Sequence, residues 1–220
     1  MIKPATIFLT KLAGVSLLLL PCLCSAQSDK KSEEILKAVS SKYKTFTTIQ
    51  ADFSFTIDHP GDKTNETQTG SVQLKGGKYH LVIKGQDVLC DGKTVWNYVK
   101  ESNEVQINDP SSNADAITPA NVFTMYEKGF ENRFIEEKQE NGKTVQVIEL
   151  KPVDIKRNYF KIRLTIDKNE KLIITSQVFS KNGDRQTYTI KKFTPNIPME
   201  DASFIFNKAS HPGVVEVDLR

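Results

Sequence analysis

Cysteine is nearly absent: three in 220 residues, of which Cys22 and Cys24 sit at the start and only Cys90 lies in the body of the chain. Once the first segment is gone no internal disulfide is possible, so the fold must stand on a hydrophobic core, and Cys90 reads as a small apolar side chain in a strand. Histidine is as scarce. His59, His80 and His211 are far apart, with no second ligand at helix or strand spacing, which argues against a zinc site. Phosphate-binding loops are missing too. Gly92-Lys93-Thr94 and Gly142-Lys143-Thr144 have the right tail, but the glycine needed five residues earlier is Asp87 in one case and Glu137 in the other. There is no Gly-x-Ser-x-Gly elbow. The carboxylate pairs Glu33-Glu34 and Glu136-Glu137 are sequence neighbours rather than groups converging across a cleft. No cofactor is implied and an enzyme is disfavoured.

A surplus of one charge is lacking as well. Lys and Arg number 30 against 27 Asp and Glu; without Lys3 and Lys11 the balance is 28 to 27, which disfavours nucleic acid as a partner. Long apolar runs are absent except from Leu12 to Leu20, too short for a permanent membrane helix. With two early lysines before it and Pro21-Cys22-Leu23-Cys24-Ser25-Ala26 after it, this run predicts a secretory signal over residues 1–26, cut after Ala26. Lipoprotein processing at Cys22 or Cys24 is the rival, but Pro21 and Leu23 precede those cysteines where a small residue is wanted. The composition is otherwise that of a globular protein, 38% hydrophobic and 26% charged. The remainder, from residue 27 to 220, has a length that suits one large β domain or two small ones.

What is present is alternation. An amphipathic helix is predicted from Lys30 to Tyr43, with Ile35, Leu36, Val39 and Tyr43 on one face. From Ile49 the period becomes two: Phe53, Phe55 and Ile57 alternate with Ser54, Thr56 and Asp58. After a polar loop, His59 to Gln68, which holds the sequon Asn65-Glu66-Thr67, a meander follows over 68–74, 78–84, 87–91, 93–99 and 104–107. A second run covers 132–139, 144–151, 158–167, 172–180 and 185–194, with Asn141-Gly142 and Asn182-Gly183 as hairpin signals. In the strand over 158–167 the alternation sets Phe160, Ile162, Leu164 and Ile166 on one face. Between the runs, Thr118-Pro119 caps a short apolar helix from Ala120 to Tyr126. Val122, Phe123, Met125 and Tyr126 leave it little polar face. A lid over the sheet and a plain core helix fit these residues equally well.

The segment Asp91-Gly92-Lys93-Thr94-Val95-Trp96-Asn97-Tyr98, followed by Asn103-Glu104-Val105-Gln106-Ile107, resembles the Asp-Gly-Lys-Thr-Leu-Trp-x-Tyr stretch of the periplasmic outer-membrane lipoprotein carriers, the LolA family. Ala51-Asp52-Phe53 is similar to that family's first strand. Phe204-Ile205-Phe206 with Pro212-Gly213-Val214-Val215-Glu216-Val217-Asp218 is similar to its C-terminal segment. The resemblance covers nearly all of residues 27–220. It implies an unclosed antiparallel β half-barrel of about 11 strands, with a helical lid over an apolar cavity that takes lipoprotein acyl chains. The lining it implies is Phe53, Phe55, Ile57, Val72, Leu74, Tyr79, Leu81, Trp96 and Tyr98, with Val122, Phe123, Met125 and Tyr126 from the lid and Ile162, Leu164 and Ile166 from the second run.

The same resemblance implies a periplasmic monomer that touches membranes only in passing. Its partners would be acylated lipoproteins as cargo, an inner-membrane ABC transporter as donor and an outer-membrane acceptor. A sensor of acyl chains for envelope stress, or a receptor lipoprotein of the outer membrane, is the alternative on the same half-barrel. One departure stands out. Enterobacterial members carry Arg-Pro after the second strand, the Arg latching the lid, where this sequence has Gly76-Gly77; Lys75 and Lys78 are the nearest cations.

Overall fold

The computed structural model describes residues 29–61, 64–110 and 125–220. The expected signal segment, the helix cap at Thr118-Pro119, and Val122 and Phe123 lie outside these. The helix expected at the start is present as α1, Lys30–Tyr43. Asp29 caps it: its Oδ1 accepts from the Lys31 N–H at 3.0 Å, satisfying a donor that helix geometry leaves free. Its other oxygen accepts from the Phe134 N–H at 3.1 Å, and its own N–H donates to the Asn132 carbonyl. One residue thus ends the helix and pins it to a strand.

Among the described residues twelve strands follow: β1 (Ile49–His59), β2 (Thr64–Lys75), β3 (Lys78–Ile83), β4 (Gln86–Cys90), β5 (Val95–Val99), β6 (Glu104–Asn108), β7 (Phe130–Glu140), β8 (Lys143–Pro152), β9 (Tyr159–Asp167), β10 (Ile173–Ser180), β11 (Arg185–Pro195) and β12 (Val215–Asp218). All lie in one sheet, in the order β12-β6-β5-β4-β3-β2-β1-β11-β10-β9-β8-β7. The two meanders read from the sequence are therefore halves of one sheet, joined where β1 pairs antiparallel with β11. The sheet does not close, because β12 and β7 are its two ends. This is the unclosed half-barrel expected, with β12 as an additional strand lying parallel to β6.

Two local readings change. The loop from His59 to Gln68 is mostly strand: β1 and β2 stay paired out to His59 opposite Thr64, and Thr56 and Thr67 share a hydroxyl hydrogen bond at 2.9 Å. Threonine pairs hold a ladder even where both faces are wet. In β9 an irregularity of pairing opposite Phe179/Ser180 breaks the alternation. Tyr159 is buried and Phe160 turns out at 50% exposure, the reverse of what strict alternation gives.

α1 lies over the second half of the sheet, β7 to β10. Its Ser32 hydroxyl bonds Asn132 of β7, and the Ile173 N–H of β10 donates to the Tyr43 hydroxyl at 3.2 Å. Ile35, Leu36, Val39 and Tyr43 are buried with Ile148, Leu150, Ile162, Leu164 and Ile166 in one core. A second buried group, Leu89, Tyr98, Val105 and Phe204, stands outside that core. There the chain after β11 returns across the other face: Tyr98 meets Phe206 at 5.4 Å and His211 at 4.5 Å between ring centroids.

Candidate functional site

The register tells which residues share the concave face. One row runs Ile49, Leu74, Tyr79, Cys90, Val95, and the next Ala51, Val72, Leu81, Val88. A third holds Phe53, Gly70 and Ile83. Across the β1–β11 seam Phe55 stacks on Tyr188, ring centroids 4.6 Å apart and nearly parallel. Gly70 is needed in this row. A Cβ there would come within 2.7 Å of both the Phe53 ring and the Val82 carbonyl, so the missing side chain is the space the ring fills.

The face is covered unevenly. Phe53, Val72, Leu74 and Tyr79 are buried, as are Ile162, Leu164 and Ile166 beneath α1. Phe55, Leu81, Ile83, Val88, Val95, Tyr188 and Ile190 are only half-buried, packed against the core on one side and open on the other. Ile57 is half-buried further along β1, between Glu66 and Gln186. An apolar strip on β1 to β5 and β11 is therefore only part-covered, although Tyr43 of α1 meets Phe193 of β11 with ring centroids 5.9 Å apart.

The structure redraws the expected lining in one respect. Trp96 and Tyr98 stand on the convex face: Val95 is the residue opposite Cys90 in the concave row, so Trp96 pairs with Leu89 and Ile107 on the other side. The alternation of β5 is apolar on both faces, and the heavier aromatics drew the reading to the wrong one. Tyr98 is covered there by the C-terminal segment, through Phe206 and His211. Ile83, Val88, Val95, Tyr188 and Ile190 are half-buried concave residues that the sequence reading omitted, besides the buried Ile49, Ala51 and Cys90 of the same face. Counting outward from Tyr79 in steps of two across each hairpin would have found the first three.

Of the expected lid, Met125 opens a short 3₁₀ turn, Met125–Glu127. Tyr126 is buried in the main core at 4% exposure, with its hydroxyl unpartnered. Burial, with Tyr43 beside it, pushes that phenol far above its ordinary range. Glu127 is tied to α1: Ser40 donates to it and Lys44 sits 3.0 Å away, and these two hold its carboxyl below the usual range. Lys75 and Lys78 serve elsewhere, with their ammonium groups 2.8 and 2.7 Å from Asp201 on the C-terminal segment. Burial raises the Cys90 thiol, which keeps it protonated and unreactive. Among the described residues no cluster of His, Cys, Asp or Glu is placed to hold a metal.

The site is thus an open sheet with an apolar concave strip and a helix over part of it. The model of the outer membrane lipoprotein carrier protein family, LolA, matches residues 44–207. The chain belongs to the LolA family. No curated protein matches it. Among solved structures, this LolA-family chain is similar to an uncharacterised conserved protein of Thermus thermophilus, at 13% identity and a TM-score of 0.60 over 86% of this chain and 99% of that one. A candidate outer membrane lipoprotein-sorting domain from Vibrio parahaemolyticus overlays at 13% identity and 0.47, covering 82% and 98%. The lipoprotein LppX of Mycobacterium tuberculosis does so at 10% and 0.49, covering 79% and 99%. The first of these shows the fold. No helix among the described residues of the LolA-family chain is long and apolar enough to cross a membrane.

Proposed function

We propose that this protein is an exported carrier that shelters the acyl chains of lipoproteins on its concave face and moves them from the inner to the outer membrane. The observation that carries this is the half-covered strip of Phe55, Leu81, Ile83, Val88, Val95, Tyr188 and Ile190, apolar surface that α1 leaves open. An acyl chain of fifteen methylenes costs roughly 12 kcal/mol to expose to water, at about 0.8 per methylene, so such cargo needs a shelter in an aqueous gap. The chain carries no nucleotide-binding motif. Loading is therefore driven by an inner-membrane ABC transporter, and release goes to an outer-membrane acceptor. Residues 1–26 are the signal, removed after Ala26. The segment before Tyr126, with Val122 and Phe123, is the lid, and the bonds of Glu127 to Ser40 and Lys44 anchor its exit.

The test is a titration with a fluorescent fatty acid on Leu81→Glu and Ile83→Glu beside the parent. Both side chains are half-buried, so the new carboxylates stay hydrated and the melts move little, while probe affinity falls tenfold or more, about 1.4 kcal/mol. Parent protein that shows no saturable binding, or variants that bind as well as the parent, would sink the proposal. Mass spectrometry of the native N-terminus separates a soluble carrier, which begins at Gln27, from a receptor acylated on Cys22 or Cys24.

A further inference from the structure

The most exposed aliphatic side chains among the described residues lie together, in the connection between β8 and β9. Ile155 is 81% exposed and Val153 64%, and Phe160 just beyond is 50% exposed because of the irregular pairing in β9. Exposed aliphatics in a slack loop would fold back on the surface, and this loop is braced against doing so. The Val153 N–H donates to the Gly129 carbonyl at 3.0 Å, the Lys156 N–H to Asp154 at 2.8 Å and the Lys181 N–H to the Asn158 carbonyl at 2.8 Å. The Lys181 ammonium donates to the Ile155 carbonyl, and the Arg157 guanidinium lies over the Phe130 ring at 5.0 Å. The tips of Val153 and Ile155 are held outward.

Charge surrounds them. Lys151, Lys156, Lys181 and Arg185, all exposed, flank the loop and the neighbouring β10–β11 turn, against two carboxylates that are occupied locally. Asp154 accepts from the loop's own backbone, and Asp184 is bonded to His59 at 2.9 Å and to Asn182. A groove of about 700 Å³ adjoins the patch; Phe160, Lys151, Lys161 and Arg133 share its walls with Asp29, Glu131 and Glu149, of which Asp29 accepts from backbone N–H groups and Glu149 is paired with Lys161 and Arg163. Aliphatic tips ringed by cations match the boundary of an anionic bilayer, where apolar side chains enter the acyl edge and lysines meet phosphates. A protein partner would be expected to present acidic groups to the cations and a pocket to Ile155, and nothing on this surface selects that.

The geometry points to the β8–β9 loop as a membrane-docking element that seats the protein on anionic lipid through Val153, Ile155 and the surrounding cations. This goes beyond the carrier reading and does not depend on the concave face holding acyl chains. The test is sedimentation of the purified protein with vesicles of phosphatidylglycerol and phosphatidylethanolamine, beside vesicles of phosphatidylcholine alone. Binding to the first, weakened by salt and weak on the second, is expected. Ile155→Asp and Val153→Asp should each lower it by about tenfold or more, and the pair Lys151→Glu and Lys156→Glu should remove its salt dependence. All four side chains are exposed, so melting and fatty-acid probe binding should stay as in the parent, which separates failure here from failure of the concave site. Parent protein that does not sediment with anionic vesicles, or loop variants that sediment equally well, would overturn the proposal. So would variants that keep vesicle binding but lose exchange with a membrane protein, since the patch would then meet protein rather than lipid.

Discussion

Tyr43 and Tyr126 are both buried phenols in the same core, and they are not equivalent. The Tyr43 hydroxyl accepts from a buried backbone N–H, while the Tyr126 hydroxyl has no partner. A buried polar group without a bond costs about 1–3 kcal/mol, and removing it in an isosteric change recovers part of that. Tyr126→Phe should leave stability unchanged or raise it by up to about 1 kcal/mol, whereas Tyr43→Phe should lower it by about that much, as read from denaturant midpoints. A clear loss in Tyr126→Phe would mean that the hydroxyl is bonded in solution. The Asp201 carboxyl carries a different signature. Hydrogen bonds from Lys75 and then Lys78 hold it down to about 2, from an ordinary 3.8. A carboxyl lowered by folding stabilises the fold above its unfolded value and loses that contribution as pH falls through the folded one. Between about pH 4 and 2 the parent should therefore lose stability more steeply than Asp201→Asn, and the two curves should meet at the acid end. Parallel curves across that window would show that the two lysines do not hold the segment.

At the scale of elements, the Gly70 row shows how much a strand depends on a missing atom. The Val82 carbonyl is backbone and cannot step aside, and the Phe53 ring is already buried, so Gly70→Ala should destabilise by about 1–3 kcal/mol by overpacking. A thermal melt reads this directly, and an unchanged midpoint would mean that β2 and β3 can part there. The elements were also where the sequence was most readable. α1 kept both expected ends because Asp29 caps its start and the apolar period stops after Tyr43. The hairpin at Asn141-Gly142 is present because both residues take the positive φ that a tight turn requires, 51° and 76°. Faces were harder. The side-chain period of a strand gives two faces without naming them, and β5 is apolar on both, so only the pairing of Val95 with Cys90 decides that Trp96 looks outward. The β9 irregularity that exposes Phe160 lies in strand pairing, which no single strand's sequence records.

For the whole molecule, the two ends of the open sheet are protected differently. β7 ends in Glu136, Glu137, Lys138, Gln139 and Glu140, all exposed, a charged edge that discourages pairing with another chain. The other end is covered by the chain itself: β12 lies on β6, and the segment before it packs on Tyr98. A chain stopped before Met199 would bare the β6 edge together with Leu89, Tyr98 and Val105. It should lose solubility and elute as aggregate on size exclusion, and a monomeric truncated protein would show the cover to be dispensable. The sheet's overall order was only partly legible for a related reason. Each meander can be read from neighbours in sequence, but the partnership of β1 with β11 and of β12 with β6 joins segments far apart along the chain.

That seam also sets a timetable. β1 leaves the N-terminal helix early, yet its partner on one side, β11, emerges only when nearly the whole chain has been made, and the core under α1 draws on β8 to β10. Closing so long a loop is entropically slow, and contacts of high sequence separation retard folding. A growing chain of this protein can form the β2 to β6 meander but cannot lock it to the other half. It stays loose until its last third is present, and the export proposed above would gain from that delay, since a chain threaded through a membrane must cross before it folds.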